Sequence, residues 1–226
     1  MLNTWKIGDV KVTKVVEVET TNRVTWILPD ATPEALARET WLQPHFATAD
    51  GRGTMSVHAF VLESDGRRIV VDTCVGNDKD RPIPNWHRRQ GTFLRDLETA
   101  GFPADSIDAV LCTHLHVDHV GWNTRLDRGR WVPTFRRARY LFHRAELDYW
   151  MAEKEAPYGD VMGDSVRPVL DAGLVDLVES THDRFPGTRT GKSCINIRDR
   201  DSIDDDAVRD LARETWPQFR GDAGRP

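Results

Sequence analysis

Apolar and polar side chains alternate along the first part of the chain, a pattern typical of strands with one buried face. From Trp5 to Glu19 this alternation surrounds a Gly8–Asp9 turn and predicts one or two antiparallel strands. Ser56–Glu63 and Arg67–Asp72 predict two further strands, joined by the two-residue hairpin turn Asp65–Gly66. The opening of the chain is therefore predicted to be an antiparallel meander.

Apolar residues spaced three and four apart predict helices between the later strands. A helix from Pro33 to about Trp41 has Thr32 as its N-cap and proline at its first position. Its Leu36 and Trp41 are expected to face the core or to line a cleft, and the core is the commoner outcome. A second helix covers Thr92 to Ala100 and stops at Gly101. The other predictions are strands at Val24–Leu28, Ser106–Cys112, Ala138–Phe142, Leu174–Val178 and Cys194–Ile197, loops at Asn77–Arg89 and Arg125–Arg137, and helices at Glu146–Glu155, Asp164–Ala172 and Ser202–Trp216.

The most informative stretch is THLHVDHVGWNT, from Thr113 to Thr124. It follows the short apolar run Ala109–Cys112, so its polar groups emerge from the carboxyl end of a buried strand, where loops of α/β proteins form binding crevices. The histidines are two apart rather than four apart, which excludes the helical H-E-x-x-H motif and requires an extended or looped backbone. Imidazole and carboxylate together suit zinc, iron, manganese or cobalt. The potential metal ligands are His114, His116, Asp118 and His119.

The run H-x-H-x-D-H after an apolar strand resembles the signature of the metallo-β-lactamase-fold hydrolases. The following residues VGWNT, together with FHRAELDYW at Phe142 to Trp150, most resemble the lactonase-like and organophosphate-hydrolase-like branch. The resemblance implies an α/β fold, a four-layer αββα sandwich with the metal site between its two similar halves. A histidine cluster with no function is the alternative, and four ligand-type residues in this pattern argue against it.

The resemblance also implies a function, which is metal-dependent hydrolysis of a lactone, an ester or an organophosphate through a metal-bound hydroxide. The expected cofactor is one or two zinc ions, with iron, manganese or cobalt as alternatives. His114 and His116 would bind one metal, and Asp118 and His119 the other. Asp118 is also the expected catalytic residue, which orients the nucleophile and passes a proton to the leaving group.

Two further roles are expected around this loop. In the resembled family, an aspartate at the place of Asp72 supports the metal loop from behind its ligands; a strand-ending aspartate that caps a turn is the alternative interpretation. Trp122 and Trp86 could wall an apolar pocket for the substrate. His143 is expected to be structural.

The resemblance stops in the C-terminal part. It implies two more histidines and a bridging aspartate from the second half, but no histidine follows His182 and the sequence becomes rich in Arg, Asp and Gly. We therefore predict a metallo-β-lactamase-like domain at residues 1–180 and an atypical tail at 181–226. Either the chain is truncated or read out of frame after about His182, which we favour, or His143, His182 or a partner chain completes a single-metal site. The alternative function is an inactive remnant or binding protein with an incomplete metal site.

Composition limits the expected partners. The chain is 226 residues long with 39% hydrophobic and 30% charged residues, as in globular proteins, and its net charge of -5 gives no footprint for nucleic acid. No signal segment or apolar membrane span is visible, which predicts a cytoplasmic protein without membrane contact. The three cysteines are widely spaced and more typical of reduced thiols than of disulfides. A small-molecule substrate is the expected partner, and homo-oligomerisation is compatible with the sequence.

Overall fold

One mixed sheet of seven strands organises the protein. The computed structural model describes residues 3–178, 189–190 and 195–196. The strands are β1 (Asn3–Ile7), β2 (Val10–Asn22), β3 (Gly53–Ser64), β4 (Arg67–Val71), β5 (Ala109–Leu111), β6 (Thr124–Asp127), β7 (Arg130–Pro133), β8 (Arg139–His143), β9 (Val175–Val178), β10 (Arg189–Thr190) and β11 (Ile195–Asn196). The large sheet has the order β1-β2-β3-β4-β5-β8-β9, while β6 pairs with β7 and β10 with β11.

The sheet changes from antiparallel to parallel pairing at β4. Strands β1 to β4 form the predicted meander, and its β3–β4 hairpin turns at Asp65 and Gly66, whose φ values of 48° and 72° suit a tight hairpin turn. Strands β4, β5, β8 and β9 run parallel. Their carboxyl ends therefore meet at one edge of the sheet, and β5 lies inside it between β4 and β8.

Helices cover one face of the sheet. Alternate strand residues such as Val61, Val70 and Val110 pack with Phe93 and Leu97 in a single buried core. The helices are α1 (Pro33–Arg38), α2 (Phe93–Thr99), α3 (Arg144–Ala152) and α4 (Arg167–Asp171), with 3-10 turns at Thr40–Leu42, Ala104–Ser106 and Gly121–Asn123 and a π-helical turn at Met162–Val166. Among these described helices, none has the length and apolar character to cross a membrane.

The other face of the sheet is also apolar but only half-buried. The register aligns its side chains across the four central strands, and they are Phe60, Leu62, Ile69, Val71, Leu111 and Leu141. Residues 3–178 thus form the seven-stranded sheet, one helical layer on it and the separate β6–β7 hairpin. Three predictions lie outside the described residues and stay untested: the helix at Ser202–Trp216, a role for His182 and the domain boundary near residue 180. The strand predicted at Cys194–Ile197 is present as Ile195–Asn196.

Three local predictions are wrong. Val24–Leu28 is not a strand but a turn. The carbonyl of Val24 accepts local hydrogen bonds from the amides of Ile27 and Leu28, so it is not paired with a neighbouring strand. Trp41 is 73% exposed rather than in the core, since α1 ends at Arg38. Arg125–Arg137 is not irregular throughout, because Arg128 and Gly129 take positive φ values of 49° and 78° and close the β6–β7 hairpin.

A buried charge cluster joins the Asn77–Arg89 loop to the π-helical turn. Arg81 donates two hydrogen bonds to the carboxylate of Asp164, at 2.7 and 2.8 Å. Lys79 Nζ lies 3.5 Å from the same carboxylate, donates to Thr124 Oγ1 at 2.8 Å, and sits 3.9 Å from the centre of the Trp131 ring. Lys79 and Arg81 have fully buried side chains, so two cations share one carboxylate away from water.

The contribution of Lys79 to stability is expected to rise with pH above neutrality. Burial outweighs the attraction of Asp164 and lowers the pKa of Lys79 from its usual 10.5 to about 7. Between these values Lys79 binds more protons in the unfolded chain than in the folded one, so its contribution to the free energy of unfolding increases with pH, by at most about 1.4 kcal/mol per pH unit. Urea unfolding of the wild type and Lys79→Met from about pH 7 to about pH 9 measures the difference in slope. Equal slopes would contradict the prediction.

Candidate metal centre

The histidine-rich loop begins where β5 ends. Strand β5 is short and buried between two parallel neighbours, so the loop leaves the sheet at the same edge as the loop that follows β4. Backbone hydrogen bonds join the two loops: the Thr73 amide donates to the His119 carbonyl, and the Trp122 amide donates to the Thr73 carbonyl, each at 2.7 Å. The β4 loop therefore acts as a platform for the β5 loop.

The side chains of the β5 loop alternate between core and crevice. Leu115 and Val117 are 1% and 3% exposed and anchor the loop, while the neighbouring His114 and His116 stay half-buried on its other side. A turn closed by the hydrogen bond from the His119 amide to the His116 carbonyl, 3.0 Å, brings the chain back. The expected looped backbone is what the structure has.

Three imidazole rings gather at this point. The ring centres of His114 and His119 are 3.9 Å apart, and those of His114 and His116 are 4.7 Å apart. Asp118 Oδ2 lies 3.5 Å from His119 Nε2. The structure thus brings all four sequence-predicted residues together.

Asp72 connects the platform to the rings. Its carboxylate accepts a hydrogen bond from His119 Nδ1 at 2.8 Å and from the amide and hydroxyl of Thr113 at 2.8 to 3.0 Å. Its φ of 58° turns the chain sharply after β4. These contacts fit the first interpretation of Asp72 rather than the turn cap, because the carboxylate bonds Thr113 and His119 of the β5 loop and leaves His119 Nε2 directed away from it.

Charge and burial divide the histidines into two kinds. Burial and the neighbouring rings of His119 and His116 lower the pKa of His114 to about 4. Burial also lowers the pKa of His119, but hydrogen bonds with Asp118 and Asp72 outweigh it and raise that pKa to about 9. The same contact with His119 outweighs burial and lowers the pKa of Asp118. The cluster therefore mixes a neutral imidazole with a carboxylate-paired one.

The chemistry of this donor set fits a metal ion. His119 Nδ1 is held by Asp72 and His114 Nδ1 lies 3.1 Å from Thr113 Oγ1, which leaves the Nε2 atoms of both rings for a ligand role. Among the described residues, however, no three His, Cys, Asp or Glu side chains are arranged so that they could coordinate one metal ion together. His143 Nδ1 accepts the Ala145 amide at the start of α3, so this nitrogen caps the helix.

The aromatic walls of the site differ from those expected. Trp122 is 4% exposed and stacks on Phe93 in the core, so it does not wall a pocket. A cavity of about 160 Å³ instead opens beside His116, with Trp150 and Tyr158 edge-on to the imidazole at 5.3 and 6.2 Å. Trp86 does not line this cavity. Trp150 lies in the FHRAELDYW segment of the resemblance, but no sequence pattern there indicated a contact with His116.

Sequence reasoning also missed a buried carboxylate below the platform. Glu17 sits where a register shift between Val16 and Val18 interrupts the β2–β3 ladder. It accepts hydrogen bonds from the Val75 amide and the Trp122 indole, both at 2.7 Å, so one carboxylate fixes both loops. Bulges often redirect side chains toward active sites, but no sequence signal placed one here.

Comparison with known proteins decides the family. The model of the metallo-beta-lactamase superfamily matches residues 52–202. The chain belongs to this superfamily. The match confirms the resemblance, which rested on the residues of the β5 loop. The described residues form the seven-stranded sheet of the fold and the helical layer on one of its faces.

Solved structures of the metallo-beta-lactamase fold resemble the chain at low sequence identity. AidC, a dizinc quorum-quenching lactonase in complex with a product, is 20% identical with a TM-score of 0.56 and covers 78% of this chain. The hydrolase AbOPH is 17% identical (TM-score 0.58, 83% of this chain), and a probable metal-dependent hydrolase from Staphylococcus aureus is 18% identical (0.54, 81%). The chain spans 60% of AidC and 64% of each of the other two chains. No curated protein matches it.

Proposed function

We propose that the protein is a metal-dependent hydrolase of a small lactone, ester or organophosphate. The observation that carries the proposal is the cluster of three imidazoles and Asp118 at the carboxyl edge of β5, with His119 held by Asp72. Zinc suits these nitrogen and oxygen donors, with iron, manganese or cobalt as alternatives. The proposed ligands are His114, His116, Asp118 and His119.

The chain's own residues would perform the remaining chemistry. A bound divalent metal supplies a water that ionises near neutral pH and a Lewis acid for the scissile group. Asp118 would orient the attacking water and carry its proton to the leaving group. Asp72 would keep His119 in one tautomer, with the proton on Nδ1, because its carboxylate accepts from that atom.

The cavity beside His116 supports a small-molecule substrate. Its walls combine aromatic rings, from Trp150 and Tyr158, with Met162 and polar groups at the rim. Pockets that bind small molecules combine such apolar walls with a few polar groups that orient the ligand. AidC is described as a lactonase, which makes a lactone the first substrate to test. A cytoplasmic location and the absence of a nucleic-acid partner stay predictions from the sequence.

One observation favours a second function, a binding protein that retains the fold with an incomplete metal site. Within residues 3–178 the candidate donors do not yet surround a common point. A complete catalytic zinc site has three protein ligands and an open position. The two functions differ in metal content and turnover.

Replacing His116 by alanine is expected to abolish both metal retention and turnover. Purified wild type should hold at least one equivalent of metal by elemental analysis and hydrolyse at least one compound in panels of lactones, esters and phosphotriesters. The His116→Ala variant should fall to the uncatalysed rate, because an imidazole ligand is lost. His45→Ala, at an exposed histidine outside the cluster, is the matched control.

Substoichiometric metal and no turnover in the wild type would overturn the hydrolase and favour the binding protein. Equal metal content in His116→Ala and wild type would remove His116 from the proposed ligands.

A further inference from the structure

Glu146 lies behind the ligand loop on a neighbouring element. It is in the first turn of α3, which directly follows β8, and β8 pairs in parallel with β5. The start of α3 and the loop after β5 therefore share one edge of the sheet. The carboxylate of Glu146 is largely buried, with the residue 9% exposed.

One carboxylate oxygen of Glu146 serves two donors. Oε2 accepts the amide of Leu115 at 3.2 Å and the indole Nε1–H of Trp150 at 3.2 Å. Leu115 stands between His114 and His116, so its amide belongs to the backbone that carries both rings. Both partners are donors, and a carboxylate can accept from both without presenting a donor of its own.

The second contact reaches a ring directly. Trp150, whose indole Glu146 holds, packs edge-on against His116 with 5.3 Å between ring centres. Glu146 thus acts on the loop twice, through the backbone before His116 and through the aromatic wall beside it. The sequence separation of 31 residues between Leu115 and Glu146 means that only the fold creates this contact.

Helix α3 has other means of support. Its N-terminus is capped by His143, whose Nδ1 accepts the Ala145 amide, and Leu147 anchors it in the core at 7% exposed. The buried carboxylate is therefore not needed to start or to seat the helix. Its hydrogen bonds go to the ligand loop and to the ring that packs on a ligand.

We propose that Glu146 is a positioning residue, which fixes the orientation of His114 and His116 through the Leu115 amide and the Trp150 indole. This inference rests on the proposed function, since it assigns Glu146 to the same site. Groups that orient ligands from behind typically change metal affinity by about 10- to 100-fold when removed.

The test compares Glu146→Met with Asp148→Asn, an exposed acid on the same helix. Because a single oxygen accepts both hydrogen bonds, a glutamine could keep them with its amide oxygen, whereas methionine has a similar length and no strong acceptor. We expect zinc affinity, measured by competition with a chelating dye, to fall by about 10- to 100-fold in Glu146→Met and to stay within about twofold in Asp148→Asn. In metal-free protein, hydrogen exchange of the Leu115 amide should be faster in Glu146→Met alone. If Glu146→Met does not fold, Glu146→Asp provides the same comparison, because it keeps the charge and withdraws the oxygens.

Two results would overturn the inference. Zinc affinity unchanged in Glu146→Met would make Glu146 a purely structural residue, as would a Leu115 amide that exchanges equally fast in the wild type and the variant. If the wild type takes up no zinc, the proposed function fails. The amide-exchange comparison then decides on its own whether Glu146 holds the loop.

Discussion

Asp164→Asn is expected to lower the free energy of unfolding by about 3–5 kcal/mol, because it leaves the buried guanidinium of Arg81, and the protonated fraction of Lys79, without a counter-charge. The carboxylate makes two hydrogen bonds with Arg81 and lies 3.5 Å from Lys79 Nζ. An asparagine has the same shape, but it carries no charge and has one accepting oxygen instead of two, so its hydrogen bonds with the guanidinium are fewer and weaker. Urea unfolding at neutral pH measures the loss, and Asp171→Asn, an exposed acid in the next helix, is the control.

A double variant tests whether unpaired charge causes that loss. Lys79→Met removes one of the two cations, so its combination with Asp164→Asn should cost less than the two single changes added together. Additive costs would show that the contacts of Asp164 with Arg81 and Ser165, rather than the balance of charge, dominate.

Gly121→Ala is expected to lower the free energy of unfolding by about 3 kcal/mol or more. At this position the loops after β4 and β5, which form the candidate metal centre, touch backbone to backbone. A Cβ at Gly121 would lie 1.9 Å from the carbonyl carbon and oxygen of Val75, and 2.5 Å from the Gly76 amide nitrogen. Neither contact is with the end of a flexible side chain, so one loop must move. Because His119 is two residues away, we also expect weaker metal binding.

Gly91→Ala is the matched control for this change. A Cβ there would meet only the end of the Arg89 side chain at 3.4 Å and the Asn77 side chain at 3.6 Å. Its effect should stay within about 0.5 kcal/mol, the range of substitutions away from special features. Thermal unfolding of both variants compares them, and equal melting temperatures would refute the close approach of the two loops.

Local sequence patterns predicted the elements that local interactions specify. The β3–β4 hairpin was predictable because Asp65 and Gly66 both adopt the positive φ that its two-residue turn requires. Thr32 caps α1 as expected, accepting the Ala35 amide. The prediction of a basic loop at Arg125–Arg137 overlooked a similar two-residue turn. Arg128 and Gly129 also adopt positive φ, and they close the β6–β7 hairpin.

Contacts between distant residues were beyond this kind of reasoning. The hydrogen bond between Glu17 and the Trp122 indole spans 105 residues, and that between Arg81 and Asp164 spans 83. Each depends on which strands become neighbours and on where the β2 ladder shifts register. Asp72 was identified through the family resemblance, and its partner, 47 residues away, became known only from the structure.

The sequence by itself determined the superfamily and the candidate ligands, because THLHVDHVGWNT places four donors directly after a buried strand within one short segment. The tertiary structure alone decided what surrounds them. The parallel pairing of β4, β5 and β8 brings Asp72, Glu146 and the cavity beside His116 to one edge of the sheet. Motif spacing fixes which atoms can bind a metal, whereas the orientation of those atoms depends on neighbours that only the folded sheet supplies.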